Sequence, residues 1–174
     1  MTRRKIPQKH RVFVGCEGAS EIGYVTFLNG LFPHCHFDTL DLGEAGDVFE
    51  CIKESTKYIN NCRIKREPYE RRFIFLDSDT IGSQHDQQRA EQLATYNNID
   101  IIWQDPCHEA LLLRHFDGQQ NSQPPDCASA ERNLRRHWPD YEKGLASQKI
   151  RKKLTKEHVI RAASAEPHLN RFLI

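Results

Sequence analysis

The sequence predicts an α/β fold, a parallel sheet flanked by helices on both faces, and three observations carry that prediction. Short β-branched or aromatic runs, Val12-Phe13-Val14 and Phe73-Ile74-Phe75-Leu76, are followed at once by turn or helix-start residues. Such runs read as strands buried on both faces. They alternate with segments whose apolar residues recur at helical spacing, a βαβαβαβα rhythm that implies parallel pairing. Both runs also end in acids: the first passes through Gly15 and Cys16 into Glu17, the second leads into Asp77-Ser78-Asp79. Ligands of open α/β sheets bind at the carboxyl ends of the strands.

The elements follow in order. Arg11 to Cys16 is the first strand. Glu21 to Phe32 carries Tyr24, Phe27, Leu28 and Leu31 at helical spacing, an amphipathic helix. Phe37 to Leu42 is a weaker strand, and Asp47 to Asn60 is a helix with Val48, Cys51, Ile52 and Ile59 facing the core. Residues 61–70 form a charged connector containing Pro68, before the strand at 72–76. Gln84 to Tyr96 is a polar helix, and Ile99, Ile101, Ile102 and Trp103 form a fourth strand. Asp105-Pro106 is expected to open the next helix, Asp as N-cap and Pro at the first helical position. Leu111, Leu112, Leu113 and Phe116 make that helix part of the core. Residues 117–126 lack apolar side chains other than prolines and read as a mobile loop. The remainder reads as basic and helical: Ala128 to Trp138, Tyr141-Glu142-Lys143, Gln148 to Leu154, and Glu157 to Ala165. The division is therefore an α/β core at 11–116, a loop at 117–126 and a helical C-terminal extension at 127–174, packed on the core.

Composition sets the outer bounds. The chain has 174 residues, enough for one domain with a real core. At 38% hydrophobic and 28% charged it suits a soluble globular protein. No apolar stretch approaches the ~20 residues that span a bilayer, so no membrane partner is expected. Met1 to Lys5 is basic with no apolar run behind it, so no signal peptide is expected. Six cysteines show no CxxC spacing and read as reduced thiols of a cytoplasmic protein. The net charge is +1, unevenly placed: residues 1–11 carry +5, 12–130 carry −10 and 131–161 carry +6. An acidic body between basic ends is either a set of solvated helix faces or a phosphate footprint beside an acidic centre. The second reading is favoured because the acids have a placement of their own.

That placement is the edge to which two strands deliver Glu17, Asp77 and Asp79. Three convergent carboxylates repel one another unless a cation sits among them, and hard oxygen donors suit Mg²⁺ or Mn²⁺. Taken singly, Glu17 could be an acid at a helix N-terminus, and Asp77 and Asp79 could cap a turn. Two acids bracketing Ser78 directly after four apolar residues favour the metal role. Zinc at His34-Cys35-His36 is disfavoured, because neighbouring strand residues point to opposite faces. A cysteine hydrolase built on Cys107 with His115 as base is disfavoured as well. There is no GxxxxGK phosphate loop, so any ATP dependence would come from a partner.

The motifs resemble those of the RloB-like (AbiLii-like) family. Val14-Gly15-Cys16-Glu17-Gly18, with Glu21 and Tyr24, is similar to its opening V-C-E-G-x-x-T-E-x-x-Y-F. Asp77-Ser78-Asp79 resembles its acidic second motif, and residues 105–116 resemble its N-P-C-F-E-x-W-L-L-L-H-F, with Asp105 for Asn and His108 for the aromatic. Tyr141 and Lys143 match a downstream Y-x-K. The resemblance implies a TOPRIM-like domain, shared with topoisomerases, primases and OLD-type nucleases. It also implies Mg²⁺-dependent nucleic-acid cleavage in restriction or phage-defence loci, beside partner ATPases or restriction enzymes.

Together with the resemblance these residues lead us to expect a metal-dependent nuclease. Glu17, Asp77 and Asp79 hold one or two Mg²⁺ or Mn²⁺ ions. Glu109 completes the shell or orients water, and Lys143, Arg135 and Arg136 neutralise phosphate oxygens. Hydrolysis is favoured over transesterification because no separate domain offers a tyrosine nucleophile. The alternative is a non-catalytic TOPRIM-like module that binds nucleic acid or a nucleotide and signals to a partner ATPase. RNA versus DNA and the oligomeric state stay open.

Overall fold

The structure, a computed structural model, describes residues 9–63 and 68–173. The basic cluster at residues 3–5 and part of the 61–70 connector lie outside them. Four strands, β1 (His10–Cys16), β2 (Cys35–Asp41), β3 (Arg71–Asp77) and β4 (Asp100–Gln104), form one sheet in the order β2-β1-β3-β4. All three pairings are parallel, as the alternating rhythm predicts. Among the described residues eight helices surround it: α1 (Ala19–Leu31), α2 (Val48–Arg63), α3 (Gln84–Tyr96), α4 (His108–Leu113), α5 (Cys127–His137), α6 (Ser147–Lys153), α7 (Lys156–Ala165) and α8 (Pro167–Leu173).

Strand alternation sorts the core into two layers. Val12, Val14, Cys16, Phe73, Phe75 and Ile102 face α1 and the helices from α4 onward. Phe13, Ile74, Leu76, Ile101 and Trp103 face α2 and α3. Both faces are thus covered, which is why β1 and β3 read as continuous apolar runs. Gly15 lies on the α2 side. A Cβ there would stand 2.7 Å from Leu42 Cδ1 and 3.1 Å from Ser55 Oγ, so α2 packs close to β1 only because the residue is glycine. On the other side, a Cβ on Gly23 of α1 would stand 2.1 Å from the Leu145 carbonyl oxygen.

Residues 127–173 share the core of the sheet. Phe172 of α8 stacks on Phe37 with centroids 4.9 Å apart and meets Phe73 and Phe75 edge-on at 5.0 and 5.4 Å. Each such pair is worth about 0.5–1.5 kcal/mol beyond the area it buries.

Three local expectations need correction. Asp105 does not cap α4: the N-cap is Cys107, Asp105-Pro106 is a cis peptide, and Asp105 Oδ1 instead accepts a hydrogen bond from Ser78 Oγ at 2.8 Å. The helix also ends at Leu113, short of Phe116. Tyr141-Glu142-Lys143 is not helical, because Gly144 with φ +74° turns the chain between α5 and α6. The sequence reading also missed α8, a seven-residue helix that begins at Pro167. The loop at 117–126 is present, and Arg114 Nε anchors it by donating to the Ser122 carbonyl at 3.1 Å.

Candidate functional site

The strand order places the topological switch point between β1 and β3. From β1 the chain crosses through α1 to β2 on one side, then returns through α2 to β3 on the other. A crevice opens at the carboxyl ends of such a pair, and there the chain places Glu17 and Asp77. Register fixes the neighbours: Cys16 pairs with Phe75, and Asp77 with Gln104.

Glu17 Oε2 accepts the Asp77 backbone N–H at 2.7 Å. In the amide orientation that its neighbours require, fully buried Gln104 donates to Asp77 Oδ1 at 2.9 Å and to Glu21 Oε1 at 3.3 Å. Its oxygen accepts from His108 Nδ1 at 2.5 Å. That bond assigns the ring proton to Nδ1, and His108 Nε2 is left buried without a partner. His108 Nδ1 also stands 3.6 Å from Glu21 Oε1.

The electrostatics follow from this crowding. Burial, then the charges of Glu21, Glu17, Asp79 and Glu109, push Asp77 up to about 8. Burial and the charges of Glu21 and Asp79 push Glu17 up to about 7, against the opposing pull of the Asp77 N–H. Among the described residues no Lys or Arg pairs with Glu17, Asp77 or Asp79. Asp79 sits in a single 3-10 turn at Ser78–Thr80. Its Oδ2 accepts from the Cys127 thiol at 2.9 Å, which ties that turn to the start of α5.

Glu109 forms the other wall and behaves differently. Burial pushes its pKa up, but the Cys107 thiol, the backbone N–H at the start of α4 and the charge of Lys143 help to outweigh it, so the pKa ends below the usual carboxylate value. Glu109 Oε1 accepts from Tyr141 Oη at 3.0 Å and lies 3.6 Å from Lys143 Nζ. The Tyr141-x-Lys143 motif therefore meets the core at Glu109.

The structure thus groups Glu17, Asp77 and Asp79, with Glu109 and Lys143 adjoining. It does not bring Arg135 and Arg136 to them. These arginines lie at the far end of α5, eight or nine residues from Cys127, roughly 12–14 Å along the helix axis, and Arg135 pairs with Glu131 at 2.9 Å. Among the described residues no group of three His, Cys, Asp or Glu side chains is arranged to hold a metal ion. Sequence reasoning missed Glu21 and Gln104 as parts of the site. For Glu21 the available signal was its position one helical turn after Glu17; buried Gln104, next to Trp103 at the end of an apolar strand, offered none until its register with Asp77 was known.

The rival sites look different in three dimensions. Cys35 packs against the core while His36 Nε2 pairs with Asp38 at 2.9 Å. His115 is fully buried and engaged at both nitrogens, by Tyr24 Oη at 2.9 Å and the Leu111 carbonyl at 2.9 Å. Burial holds it down at about 4. Burial and the neighbouring thiol push Cys107 far above the ordinary thiol value. Neither His115 nor Cys107 is prepared for nucleophilic chemistry.

No curated protein and no solved structure matches this chain. The family model described as RloB-like protein matches residues 12–171, a stretch that holds every acid of the crevice together with Tyr141 and Lys143. The chain therefore belongs to the RloB-like protein family.

Proposed function

We propose that this RloB-like chain is a Mg²⁺- or Mn²⁺-dependent nuclease of the TOPRIM type that hydrolyses phosphodiester bonds in nucleic acid, acting in the cytoplasm in anti-phage defence. The observation that carries the reading is the pair of half-buried carboxyls at the switch point, Glu17 and Asp77, raised to about 7 and about 8 with no cationic side chain paired to them among the described residues. A dication relieves that repulsion, and an all-oxygen donor set fits Mg²⁺ or Mn²⁺. Six free cysteines fit a reducing compartment.

Glu17, Asp77 and Asp79 would hold the ion, with Glu21 behind them. When bound, it supplies charge stabilisation at the scissile phosphate and a more acidic water. The chain's own residues do the rest. Gln104 fixes the Asp77 carboxylate through its amide N–H. Glu109, held ionised, accepts a proton from an attacking water or orients it. Tyr141 holds Glu109 in place, and Lys143 offers an ammonium to a phosphate oxygen.

A second reading has one observation in its favour. Glu17 spends an oxygen on the Asp77 N–H, and no three described ligands converge. On that reading the chain is a non-catalytic nucleic-acid or nucleotide sensor that reports to a partner ATPase. Incubation with tRNA, rRNA, single-stranded DNA and duplex DNA, each with Mg²⁺, Mn²⁺ or EDTA, separates the two. Cleavage that needs the metal and is lost in Asp77→Asn and Glu17→Gln is expected. Binding without cleavage in every arm would establish the sensor, and cleavage in EDTA would refute the metal role.

A further inference from the structure

We propose that the cleft between Trp138 and α6 is a subsite for single-stranded nucleic acid, holding one unstacked base and its flanking phosphates beside the acidic centre. The proposal rests on the nuclease reading and names its substrate class. The cleft encloses ≈ 300 Å³, at the lower end of the ~300–1,000 Å³ of small-molecule sites, which is room for a nucleotide and not for a double helix. Trp138, Pro139 and Leu145 give it an apolar floor, and Lys149, Lys152 and Lys153 line it from α6. Their spacing of three and four residues puts the three ammonium groups on one side of the helix. Apolar floor and cationic rim are the two halves of single-strand recognition: a π-face or alkyl surface for an exposed base, and positive charge for the backbone. A duplex keeps its bases stacked inside and has no use for the floor.

The acids nearby do not cancel the rim. Among the described residues Asp140 is the one acid lining the cleft. Glu142 meets Lys149 at 3.4 Å with both side chains mostly exposed, a surface pair that a phosphate displaces at little cost. Lys153 also lies over the Phe116 ring, 5.6 Å from its centroid.

The cleft has a direct structural line to the crevice. The Trp138 ring meets Tyr141 edge-on at 5.5 Å, and Tyr141 Oη donates to Glu109 at 3.0 Å. The Trp138 ring is thus on the order of 10 Å from the Glu109 carboxylate, a separation that neighbouring nucleotides of one unstacked strand can span.

The test uses the full chain carrying Trp103→Phe, which leaves Trp138 as the only tryptophan. Trp103 lies on the opposite face of the sheet. Oligo(U), oligo(dT), a hairpin duplex and inorganic tripolyphosphate are titrated in Ca²⁺ while Trp138 fluorescence is followed. Quenching by the two single strands, and none by duplex or tripolyphosphate, is expected; a preference between oligo(U) and oligo(dT) assigns RNA or DNA. Lys149→Ala/Lys152→Ala/Lys153→Ala should weaken single-strand binding at least tenfold and flatten the salt dependence by about two, at ~0.7 per phosphate contact. Duplex binding as tight as single-strand binding, or unchanged affinity in the triple variant, overturns the subsite. Asp77→Asn keeps the quenching but not the cleavage. A chain that shows the quenching and never cleaves would retain the subsite and lose the nuclease assignment.

Discussion

Replacing Asp77 by Asn should stabilise the metal-free protein at alkaline pH, although it destroys the proposed activity. The carboxyl is raised from 3.8 to about 8 by burial and by its acidic neighbours. At about 1.4 kcal/mol per pH unit that gap is on the order of 5 kcal/mol. Because the folded-state value is the higher one, the contribution is fully present below about pH 4 and is lost as pH rises through about 8. Wild type in EDTA should therefore lose several kcal/mol over that window, and Asn, which carries no charge, should lose much less. Urea unfolding followed by circular dichroism reads the difference: at about 2 kcal/mol per molar urea, the variant's midpoint should lie roughly 1–2 M above wild type near pH 8. Saturating Mg²⁺ should close the gap by restoring wild type and leaving the variant where it was. Equal midpoints in EDTA across the whole range would refute the account, because they would mean that neither burial nor the neighbouring acids raise Asp77 in the folded chain.

Arg114 is buried and binds the Asp105 carbonyl at 2.7 Å, the Ser122 carbonyl at 3.1 Å and the Glu166 carboxylate. Arg114→Ala should cost about 3–5 kcal/mol, since it strands a half-buried carboxylate, and thermal melts will show it. Gly23→Ala should cost about 2 kcal/mol or more by forcing α1 from the Leu145 carbonyl; a loss below half a kcal/mol in urea titration would mean that the segment yields freely. Neutralising Arg135 and Arg136 to Gln should weaken nucleic-acid binding without changing sequence preference, and flatten the salt dependence by about two if both touch phosphate. An unchanged slope would show a solvated helix end.

The sheet was legible because its signal is local. Val12 to Cys16 and Phe73 to Leu76 are buried on both faces, so their apolar runs are unbroken. The acids were legible for the same reason, since strand ends in a parallel sheet announce themselves in sequence. What joins the site from elsewhere was not. Gln104 depends on the β3–β4 register. Asp105-Pro106 carried a strong helix-start pattern, yet the chain used it in a turn that binds Ser78. α8 was hidden because its three apolar residues in seven (Leu169, Phe172, Leu173), though at i, i+3, i+4 spacing, fill a stretch too short for a periodic signal. Tertiary packing selects it, through the aromatic slot formed by Phe37, Phe73 and Phe75 and the burial of Leu169.

That slot gives the protein a clock. The ring that fills it, Phe172, is made about 95 residues after Asp77, roughly 5–20 s later at ribosomal speeds of 5–20 residues per second. Until then the sheet face beneath α8 is open, Tyr141 and Lys143 emerge late in the same interval, and Glu109 has neither partner. A growing chain carries every carboxylate of the crevice for seconds before it can close the structure that aligns them. The Glu109 wall of the crevice is thereby completed only after its carboxylates have been made, when Tyr141 and Lys143 arrive.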